Sequence, residues 1–388
     1  MTDMIDRPHT LSVGVVYGEY FPLPQYCEES VSEMGGEVLA HAVLREITGL
    51  GFPAFLLPVG IDLLRFLNWL WDIRVDLIVN LCESFRGVPQ LEANVAGLFE
   101  LLGIPFTGNS SKTLTFCQDK HRAKSVMAAW GLETPRGRLV DSPEGNIELD
   151  FPVIAKPNCE DASLGIGPDA VCWNPESLKR RIRHLLDTYH HPVLVEVFIP
   201  GREFNVAVLD RDGPEALPVS EILFKGRAAE DVNICSYEAK WLEDHELYRA
   251  TPPLCPALVP DGLREQMQRM AVAAFQALEC RDYARVDFRM NPDGRLFILE
   301  VNPNPDISSG AGFSRALKAA GIPYREFLRI LIRNSLSRRE SDGETHVYIR
   351  HSPFKRNGEE DRKFFVERGR GGGRTDGGLH KGGRPKRL

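Results

Sequence analysis

The pattern of apolar and polar positions in the first 115 residues predicts strands that alternate with helices. Helical spacing of apolar residues extends to a glycine in two places, Gly51 and Gly103. The predicted helices cover 31–50, 63–71 and 90–102. Continuous apolar runs typical of buried strands cover 11–17, 54–58, 75–81 and 104–107. This alternation is typical of a doubly wound α/β domain, whose ligands gather at the carboxyl ends of the strands.

From residue 119 onward the pattern predicts helices together with paired strands. The predicted helices cover 119–130, 175–188, 261–280 and 324–336. The predicted strands cover 153–156, 193–198, 283–290 and 295–301. The turn sequence Asn291-Pro292-Asp293-Gly294 joins the last two strands into a hairpin.

Composition changes this picture mainly at the carboxyl end of the chain. The 388 residues carry 47 Lys+Arg and 54 Asp+Glu, and the net charge of −7 argues against a mainly nucleic-acid-binding body. Residues 351–388 alone carry 11 Lys/Arg and 5 Asp/Glu, or +6, which leaves −13 on the rest. We expect residues 341–388 to form a flexible, basic, Gly/Arg-rich tail. The tail is either merely solvated or in contact with RNA, another polyanion or the acidic body.

Other sequence features exclude several classes of protein. No stretch approaches the ~20 apolar residues that a membrane span needs, and the first ten residues lack a secretory pattern. The eight cysteines contain no Cys-x-x-Cys pair, which argues against structural zinc and a disulfide framework. We therefore expect a soluble, cytoplasmic protein without a membrane partner.

The strongest chemical pattern lies on the predicted hairpin. If Met290 pairs with Arg295, paired residue numbers add to 585 and Arg285 faces Glu300. Two-residue alternation then places four polar residues on one side of the sheet: Arg285, Asp287, Glu300 and Asn302. Two carboxylates and an amide oxygen match the ligands that Mg²⁺ prefers when water and phosphate complete its shell. The alternative is an Arg–Glu salt bridge on a solvated face.

A second candidate group is Lys156, which ends the predicted strand 153–156. The following loop, residues 158–167, contains small residues and two glycines. A lysine at a strand end before such a loop suits phosphate binding by charge and backbone N–H groups. The spacing of a P-loop is absent, and the alternative is a surface lysine beside an ordinary turn.

Over residues 11–336 the chain resembles the ATP-grasp ligases, in particular the D-alanine:D-alanine ligase group. Eight segments in the same order carry the resemblance. They are ELLGIPFTG at 100–108, QDK at 118–120, VIAKP at 153–157, VEVFIPGREF at 195–204, YEAK at 237–240, CPA at 255–257, ARVD at 284–287 and LEVN at 299–302. Each segment is weak alone, but eight in order are specific.

The resemblance implies a role for each matched residue. ATP would be held by Lys120 and Lys156 at the phosphates, with Ser163 in a lid at 158–167. Glu196 and the backbone around Phe198 would hold the adenine, and Glu203 the ribose. Lys240 would meet the transferred phosphoryl group, and Arg285 would stabilise an oxyanion with help from a backbone N–H near Asp306. Two Mg²⁺ ions, with Mn²⁺ as an alternative, would be bound by Asp287, Glu300 and Asn302.

The resemblance also implies a domain layout. An N-terminal Rossmann-like domain would cover 1–118, followed by a two-lobed ATP-grasp fold. Its small lobe with the phosphate lid would cover 119–200, and its large lobe with the metal site would cover 201–340. The overall class is α/β, with an α+β arrangement in the ATP-grasp part, and the N-terminal domain is a candidate homodimer interface.

The implied reaction joins a small-molecule carboxylate to an amine. ATP phosphorylates the carboxylate to an acyl phosphate, which the amine attacks to form an amide or peptide bond, and a closed lid excludes water. The substrate shell departs from the D-alanine enzyme, since Ser30, Ala162 and Trp241 stand where the family has a glutamate, a serine and a tyrosine. Glu29 and Glu19 are alternative sources of the acid, and Phe85 is a second candidate wall of the substrate pocket. Trp241 is either a wall of the substrate pocket or part of the core.

These departures favour a substrate other than D-alanine. Loss of a glutamate that pairs with the substrate ammonium would leave that charge uncompensated. Two alternatives remain at the level of sequence: a true D-alanine:D-alanine ligase of peptidoglycan synthesis, and a non-catalytic, ATP-binding regulatory protein.

Overall fold

The computed structural model describes residues 11–21, 31–144, 147–161, 163–226, 232–242 and 244–341, without the side chains of 31–34 and 339–341. Three residues of the predicted substrate shell, Glu29, Ser30 and Ala162, lie outside these ranges. So does the predicted tail from residue 342 onward.

The N-terminal part is built on a parallel sheet with the strand order β2-β1-β3. Its strands are β1 (Val13–Gly18), β2 (Ala54–Val59) and β3 (Leu77–Asn80), and its helices are α1 (Val31–Gly49), α2 (Leu63–Ile73) and α3 (Glu92–Leu102). The predicted fourth strand at 104–107 is reduced to a single parallel bridge between Ile78 and Phe106. The carboxyl ends of β1 and β3 lead into segments 18–21 and 81–88.

Two helices connect this part to a four-stranded sheet. The helices are α4 (Ser111–Gln118) and α5 (Lys120–Ala129), and the strands are β4 (Gly137–Val140), β5 (Val153–Pro157), β6 (Val171–Cys172) and β7 (Val193–Val197). The order β4-β7-β5-β6 is antiparallel throughout. One face of the sheet packs Val153 and Val195 against α6 (Pro175–Tyr189). Since side chains alternate along a strand, Lys156 and Glu196 lie on the opposite face.

A larger sheet has the order β11-β10-β8-β12-β13, with β9 also paired to β8. Its strands are β8 (Arg202–Asp210), β9 (Pro214–Ala216), β10 (Ser220–Ile222), β11 (Pro253–Leu254), β12 (Tyr283–Met290) and β13 (Leu296–Asn302). Short helices α7 (Tyr237–Trp241) and α8 (Glu246–Ala250) precede α9 (Asp261–Ala277). Phe204, Val206 and Phe288 belong to the core that includes Ala271 and Phe275 of α9. The residues between them on β8 and β12 form a polar face.

The hairpin formed by β12 and β13 corrects the predicted register. Met290 pairs with Leu296 rather than with Arg295, so the numbers of paired residues near the turn add to 586 instead of 585. A β-bulge beyond Phe288 then shifts the sum to 587, and Arg285 faces Asn302 rather than Glu300. The predicted register was wrong because the loop holds one more residue than expected: Asn291 N–H donates to the carbonyl oxygen of Arg295.

The bulge returns Glu300 to the side of the sheet that the sequence pattern predicted for it. Ile298 and Val301 both lie in the apolar core, although they are three residues apart, because Leu299 is the extra residue of the bulge. Without it, a sum of 586 would turn Glu300 into the core. With it, Glu300 lies directly opposite Asp287 on the polar face.

The last two helices join the large sheet to the N-terminal part. They are α10 (Gly312–Ala319) and α11 (Tyr324–Ser341). Phe313 and Phe327 pack with Tyr283 in a core that also contains residues of β1 and β3. Buried Asp282 accepts hydrogen bonds from Gly108 N at 2.7 Å and from the guanidinium of Arg338. Among the described residues, the helices are all too short or too polar to span a membrane.

Candidate active site

The polar face of the large sheet brings the predicted metal ligands together. Asp287 on β12 is flanked by Glu300 on β13 and by Asn205 on β8, and Arg285 is flanked by Asn302. Directly opposed residues of antiparallel strands lie on the same face, with Cβ atoms about 5 Å apart. The four residues predicted from the hairpin therefore occupy one surface, and Asn205 is an addition that the sequence prediction missed.

Arg285 and Asp287 form a bidentate ion pair. Arg285 Nε donates to Asp287 Oδ1 at 2.6 Å, and Nη2 donates to Oδ2 at 2.7 Å. Burial by itself would lower the pKa of Arg285, but the negative charge of Asp287 outweighs it and the pKa is raised. This pairing satisfies both charges within the protein and fixes the two side chains relative to each other.

Glu300 is the carboxylate on which the positive charges converge. Its Oε2 atom lies 3.6 Å from Lys120 Nζ. Burial alone would raise the pKa of Glu300, but four surrounding cations lower it to about 2. These cations are Lys120, Lys156, Lys240 and Arg285. A site with this excess of positive charge is suited to a polyanion.

Asn302 supplies an amide oxygen beside the two carboxylates. Its Oδ1 accepts a hydrogen bond from Asn304 N–H at 2.9 Å, which leaves one lone pair of the oxygen. Among the described residues, no three or more His, Cys, Asp or Glu side chains cluster as metal ligands. Two carboxylates and one amide nevertheless fit Mg²⁺, an ion that usually takes its other ligands from water and phosphate.

Lys120 links this face to the predicted lid. Asp119 caps the start of α5 by accepting from Arg122 N–H at 3.0 Å, which places Lys120 in the first turn. Lys120 Nζ donates to the carbonyl oxygen of Glu160 and lies 3.2 Å from Asp161 Oδ1. Burial would lower the pKa of Lys120, but the charges of Asp161 and Glu300 outweigh it and the pKa is raised. Lys120 therefore stays charged between the lid and the large sheet.

The lid also contacts the N-terminal part. Gln90 Nε2 donates to Glu160 Oε1 at 2.7 Å and to the carbonyl oxygen of Cys159 at 3.2 Å. His191 Nε2 lies 3.2 Å from the same Glu160 oxygen. Ser163, predicted to touch the phosphates, adopts a left-handed backbone with φ of 64°, and its carbonyl oxygen accepts from Ile166 N–H at 3.0 Å. The lid thus contains a tight turn from Ser163 to Ile166, and Gln90 and His191 contact it through Cys159 and Glu160.

Lys156 and Glu196 lie in a buried ion cluster with Lys124, a residue that the sequence prediction missed. Glu196 Oε1 contacts Lys124 Nζ, and Oε2 lies 3.0 Å from Lys156 Nζ. Burial lowers the pKa of Lys124 to about 8, while the two lysines lower the pKa of Glu196 despite its burial. The helical spacing of Lys120 and Lys124, four residues apart on α5, could have indicated that both face the site.

This arrangement changes the interpretation of Glu196. The resemblance assigned its side chain to adenine, but both of its oxygens contact lysines. The next segment is apolar: Phe198 packs in a small cluster with Ile154, Ile166 and Ile234. The predicted role of Glu196 at the adenine stays a prediction, and this apolar cluster follows it directly along the chain.

Glu203, the predicted ribose ligand, pairs with a second missed residue. Arg289 Nη2 donates to Glu203 Oε2 at 2.8 Å and to the carbonyl oxygen of Asn233, while Nη1 donates to the carbonyl oxygen of Ile199 at 3.1 Å. Its guanidinium also lies 5.3 Å from the centre of the Phe198 ring. Two-residue alternation from Asp287 places Arg289 on the same face of β12, which is the signal that could have revealed it.

The remaining predicted residues lie on separate elements around the sheet. Lys240 and Trp241 end α7, whose Tyr237 N–H donates to the carbonyl oxygen of Ile166 in the lid at 3.3 Å. Asp306 accepts from Ser308 N–H at 2.7 Å and from its hydroxyl at 3.0 Å, which closes a turn before α10. The individual roles assigned to all these residues stay predictions.

The chain is similar to known proteins over much of its length. The family model described as "D-ala D-ala ligase C-terminus" matches residues 141–333. An uncharacterized protein, y4sG, of Sinorhizobium fredii is 31% identical over 253 residues, which are 65% of this chain and 72% of that protein. A D-alanine–D-alanine ligase of Bordetella avium is 32% identical over 322 residues, which are 81% of this chain and 91% of that enzyme.

The fold has close counterparts among solved structures. The D-alanine–D-alanine ligase of Bacillus anthracis complexed with ATP superimposes with a TM-score of 0.64 at 23% sequence identity. The match covers 86% of this chain and all of that one, and it confirms the predicted fold class. The chain therefore belongs to the D-alanine–D-alanine ligase family of ATP-grasp proteins and is an ATP-dependent ligase that forms carbon–nitrogen bonds.

Proposed function

We propose that this ligase joins a small carboxylate to an amine through an acyl phosphate, with ATP and Mg²⁺, and that its substrate is not D-alanine. The observation that carries the reaction is the convergence of four cations on Glu300, whose pKa is lowered to about 2. A carboxylate held ionised among cations suits a metal ligand facing the phosphates of a nucleotide.

Different residues of the site bind the phosphates, the ribose and the adenine of the nucleotide. Lys120 and Lys156 bind the phosphates, and Glu203 binds the ribose through Oε1, since its Oε2 accepts from Arg289. The adenine packs near Phe198. Lys240 is directed to the transferred phosphoryl group.

The metal ions and the oxyanion would be bound at the polar face of the large sheet. Asp287, Glu300 and Asn302 would hold two Mg²⁺ ions, or Mn²⁺ in their place, and the bound ions would neutralise phosphate charge. Arg285 stabilises the negative charge that develops when the amine attacks, because its guanidinium is fixed by two hydrogen bonds to Asp287. A backbone N–H near Asp306 assists it.

Exclusion of water is the task of the lid. An acyl phosphate hydrolyses if water reaches it, so the lid must cover the phosphates during reaction. Supporting contacts link the lid to the N-terminal part through Gln90 and to α7 through the hydrogen bond from Tyr237 N–H to Ile166. Lys120, at the base of the lid, contacts Glu160 and Asp161.

The substrate proposal rests on Trp241, which follows Lys240 where the family has a tyrosine. An indole is larger than a phenol and lacks the hydroxyl that can accept a hydrogen bond. The second candidate, a true D-alanine–D-alanine ligase, is favoured by the name of the Bordetella avium relative. Glu29, Ser30 and Ala162 bear on this choice but lie outside the described residues.

A substrate screen separates the candidates. The protein is incubated with ATP, Mg²⁺ and either D-alanine alone or pools of acids and amines, and phosphate release and condensed products are measured. We expect turnover with a pool and none with D-alanine alone. Turnover with D-alanine would establish the second candidate, while tight ATP binding without turnover in any pool would contradict both.

A matched pair of variants controls the screen. Glu300→Gln keeps the shape of the side chain and removes its charge, so phosphate release should fall by about 10²- to 10³-fold. Glu215→Gln changes an exposed carboxylate that pairs with Arg211 on the far end of the sheet, and phosphate release should persist. The predicted homodimer, the tail contacts with polyanions, the cytoplasmic location and the domain boundaries stay predictions.

A further inference from the structure

Asn304, two residues after the end of β13, joins the large sheet to the N-terminal part and has no role in the reaction outlined above. Its Nδ2 atom donates to Glu92 Oε1 at 2.7 Å and to the carbonyl oxygen of Cys82 at 3.1 Å. Its Oδ1 atom accepts from the hydroxyl of Tyr283 at 3.1 Å. Both N–H donors of the amide therefore have acceptors, and its oxygen has a donor.

The three partners of this side chain are buried. Glu92 lies in the first turn of α3, and Tyr283 lies on β12 in the core that also contains residues of β1 and β3. Cys82 follows β3, and its N–H donates to Asn80 Oδ1 at 3.2 Å. Because these partners are held in close-packed cores, they fix the Asn304 amide in one orientation.

The backbone of Asn304 in turn orients a predicted metal ligand. Its N–H donates at 2.9 Å to Asn302 Oδ1, the oxygen predicted to bind Mg²⁺. The carbonyl oxygen of Pro303, between these two residues, accepts from Asn109 Nδ2 at 2.6 Å. The direction of the Asn302 oxygen therefore depends on where Asn304 lies. Mg²⁺ demands near-ideal octahedral geometry, so a small displacement of one ligand weakens its binding.

We propose that Asn304 is a positioning residue for the metal ion, and that it couples Glu92 and Cys82 of the N-terminal part to the orientation of Asn302. The inference rests on the proposed function, because it requires a metal ion at Asn302. Removal of a group that orients a metal ligand typically costs about 10- to 100-fold in metal affinity or activity. The N-terminal part would thus contribute to metal binding without supplying a ligand.

The test measures binding of Mn²⁺ to the protein saturated with ADP, with free Mn²⁺ detected by electron paramagnetic resonance. Asn304→Leu keeps a side chain of similar size and removes all three side-chain hydrogen bonds. We expect it to raise the dissociation constant for Mn²⁺ about 10- to 100-fold. The affinity for ADP measured without metal should stay nearly unchanged, because the hydrogen-bond partners of Asn304 are not among the residues assigned to the nucleotide.

A second pair of variants tests the contact from the side of α3. Glu92→Leu removes the oxygen that accepts from Asn304, whereas Glu92→Gln keeps an oxygen there. Burial raises the pKa of Glu92 well above its ordinary value, although the hydrogen bond from Asn304 acts in the opposite direction. Glutamine resembles the neutral carboxyl that this environment favours. We expect Glu92→Leu to raise the Mn²⁺ dissociation constant about 10-fold and Glu92→Gln to recover most of that loss. This pair keeps the test in force if Asn304→Leu does not fold.

Controls separate this inference from the proposed function. Asn68→Ala changes an exposed asparagine on α2 and should bind Mn²⁺ as wild type does. Thermal melting shows whether each variant is folded. If wild type binds Mn²⁺ but turns over no substrate, the proposed function fails, and the Mn²⁺ titrations still decide the role of Asn304.

Two results would overturn the proposal. Wild type that binds Mn²⁺ no more tightly than ADP does in solution would remove the metal site and the role of Asn304 together. Equal Mn²⁺ dissociation constants in wild type, Asn304→Leu and Glu92→Leu, with lowered melting temperatures in the variants, would show that Asn304 only joins the two parts of the fold.

Discussion

Two groups of charged residues face each other across the site, and they differ in how completely the protein satisfies them. In the first, both oxygens of Glu196 contact lysines, and the side chains of Lys124, Glu196 and Lys156 are only 7%, 2% and 7% exposed. In the second, Glu300 is 27% exposed and its nearest lysine nitrogen is 3.6 Å away. The first group is closed, and the second leaves room for further ligands.

The difference separates Glu196, a carboxylate that stabilises the fold, from Glu300, a carboxylate proposed to act in the reaction. A carboxylate buried between two lysines is costly to disturb, because loss of either sign leaves an uncompensated charge in the interior. A partly exposed carboxylate surrounded by cations can exchange one partner for another without leaving water entirely. Changes to Glu196 should therefore act mainly on stability, and changes to Glu300 mainly on activity.

Glu196→Gln should have the largest effect on stability. The amide leaves Lys124 and Lys156 buried without a negative charge, and we expect a loss of about 3–5 kcal/mol in the free energy of unfolding. Urea denaturation followed by circular dichroism measures it. Glu144→Gln, which removes an exposed partner of Lys179, should cost less than ~1 kcal/mol. Similar losses in both variants would contradict the distinction between the two groups.

Glu300→Gln should act mainly on the reaction. Loss of the charge removes a metal ligand and the carboxylate that the cations surround, and we expect kcat to fall by about 10²- to 10³-fold. ADP formation in the presence of the identified substrates measures the loss. The variant should still melt cooperatively, since Lys120 keeps its contacts with Glu160 and Asp161 and Arg285 keeps its pair with Asp287. A variant with normal kcat would show that Glu300 is outside the chemistry.

Much of the fold followed from local pattern, including the hairpin of β12 and β13, whereas the register of that hairpin did not. Alternation along each strand correctly indicated that Arg285 and Asp287 share a face. The register depended on a loop with one more residue than expected and on a bulge at Leu299, and neither has a distinct sequence signature here. The polar face was predicted correctly because the two deviations together leave Glu300 on the same side of the sheet as Asp287, although its direct partner is Asp287 and not Arg285.

The missed parts of the site are those defined by tertiary contacts. Strand β8 was not predicted, although the matched segment 195–204 overlaps its beginning, because polar residues alternate through its first half and its apolar run, 206–209, is only four residues long. Lys124 is an ordinary helical residue in the sequence, and only the packing of neighbouring elements brings it near Glu196. The family resemblance assigned ligand-binding roles to residues, and it did not reveal which of those residues contact each other.

Arg289→Lys should have an intermediate effect, because Arg289 is buried and connects Glu203 to the carbonyl oxygens of Ile199 and Asn233. A lysine has a compact charge and cannot reach Glu203, Ile199 and Asn233 together. We expect a loss of about 1–3 kcal/mol in the free energy of unfolding. Arg295→Lys is the matched control on the same hairpin, since Arg295 pairs with Glu133 at an exposed position. It should change stability by less than ~0.5 kcal/mol. Equal losses would mean that the contacts of Arg289 are not stabilising.

The smallest predicted effect concerns the contact between His191 and Glu160 of the lid, and this effect depends on pH. Burial would lower the pKa of His191, but the hydrogen bond to Glu160 outweighs it and the pKa is raised above its ordinary value. The stabilisation from this pair is therefore complete below about pH 6.5 and is lost as the pH rises through the raised value.

His191→Gln should consequently destabilise the protein by about 1 kcal/mol or less at pH 6, and by less at pH 8.5, in urea denaturation. His184→Gln, at an exposed position on α6, should cost the same at both pH values. A larger cost for His191→Gln at pH 8.5 would show that neutral His191 forms the stronger contact. The lid would then be held by uncharged hydrogen bonds, unlike the ion cluster around Glu196.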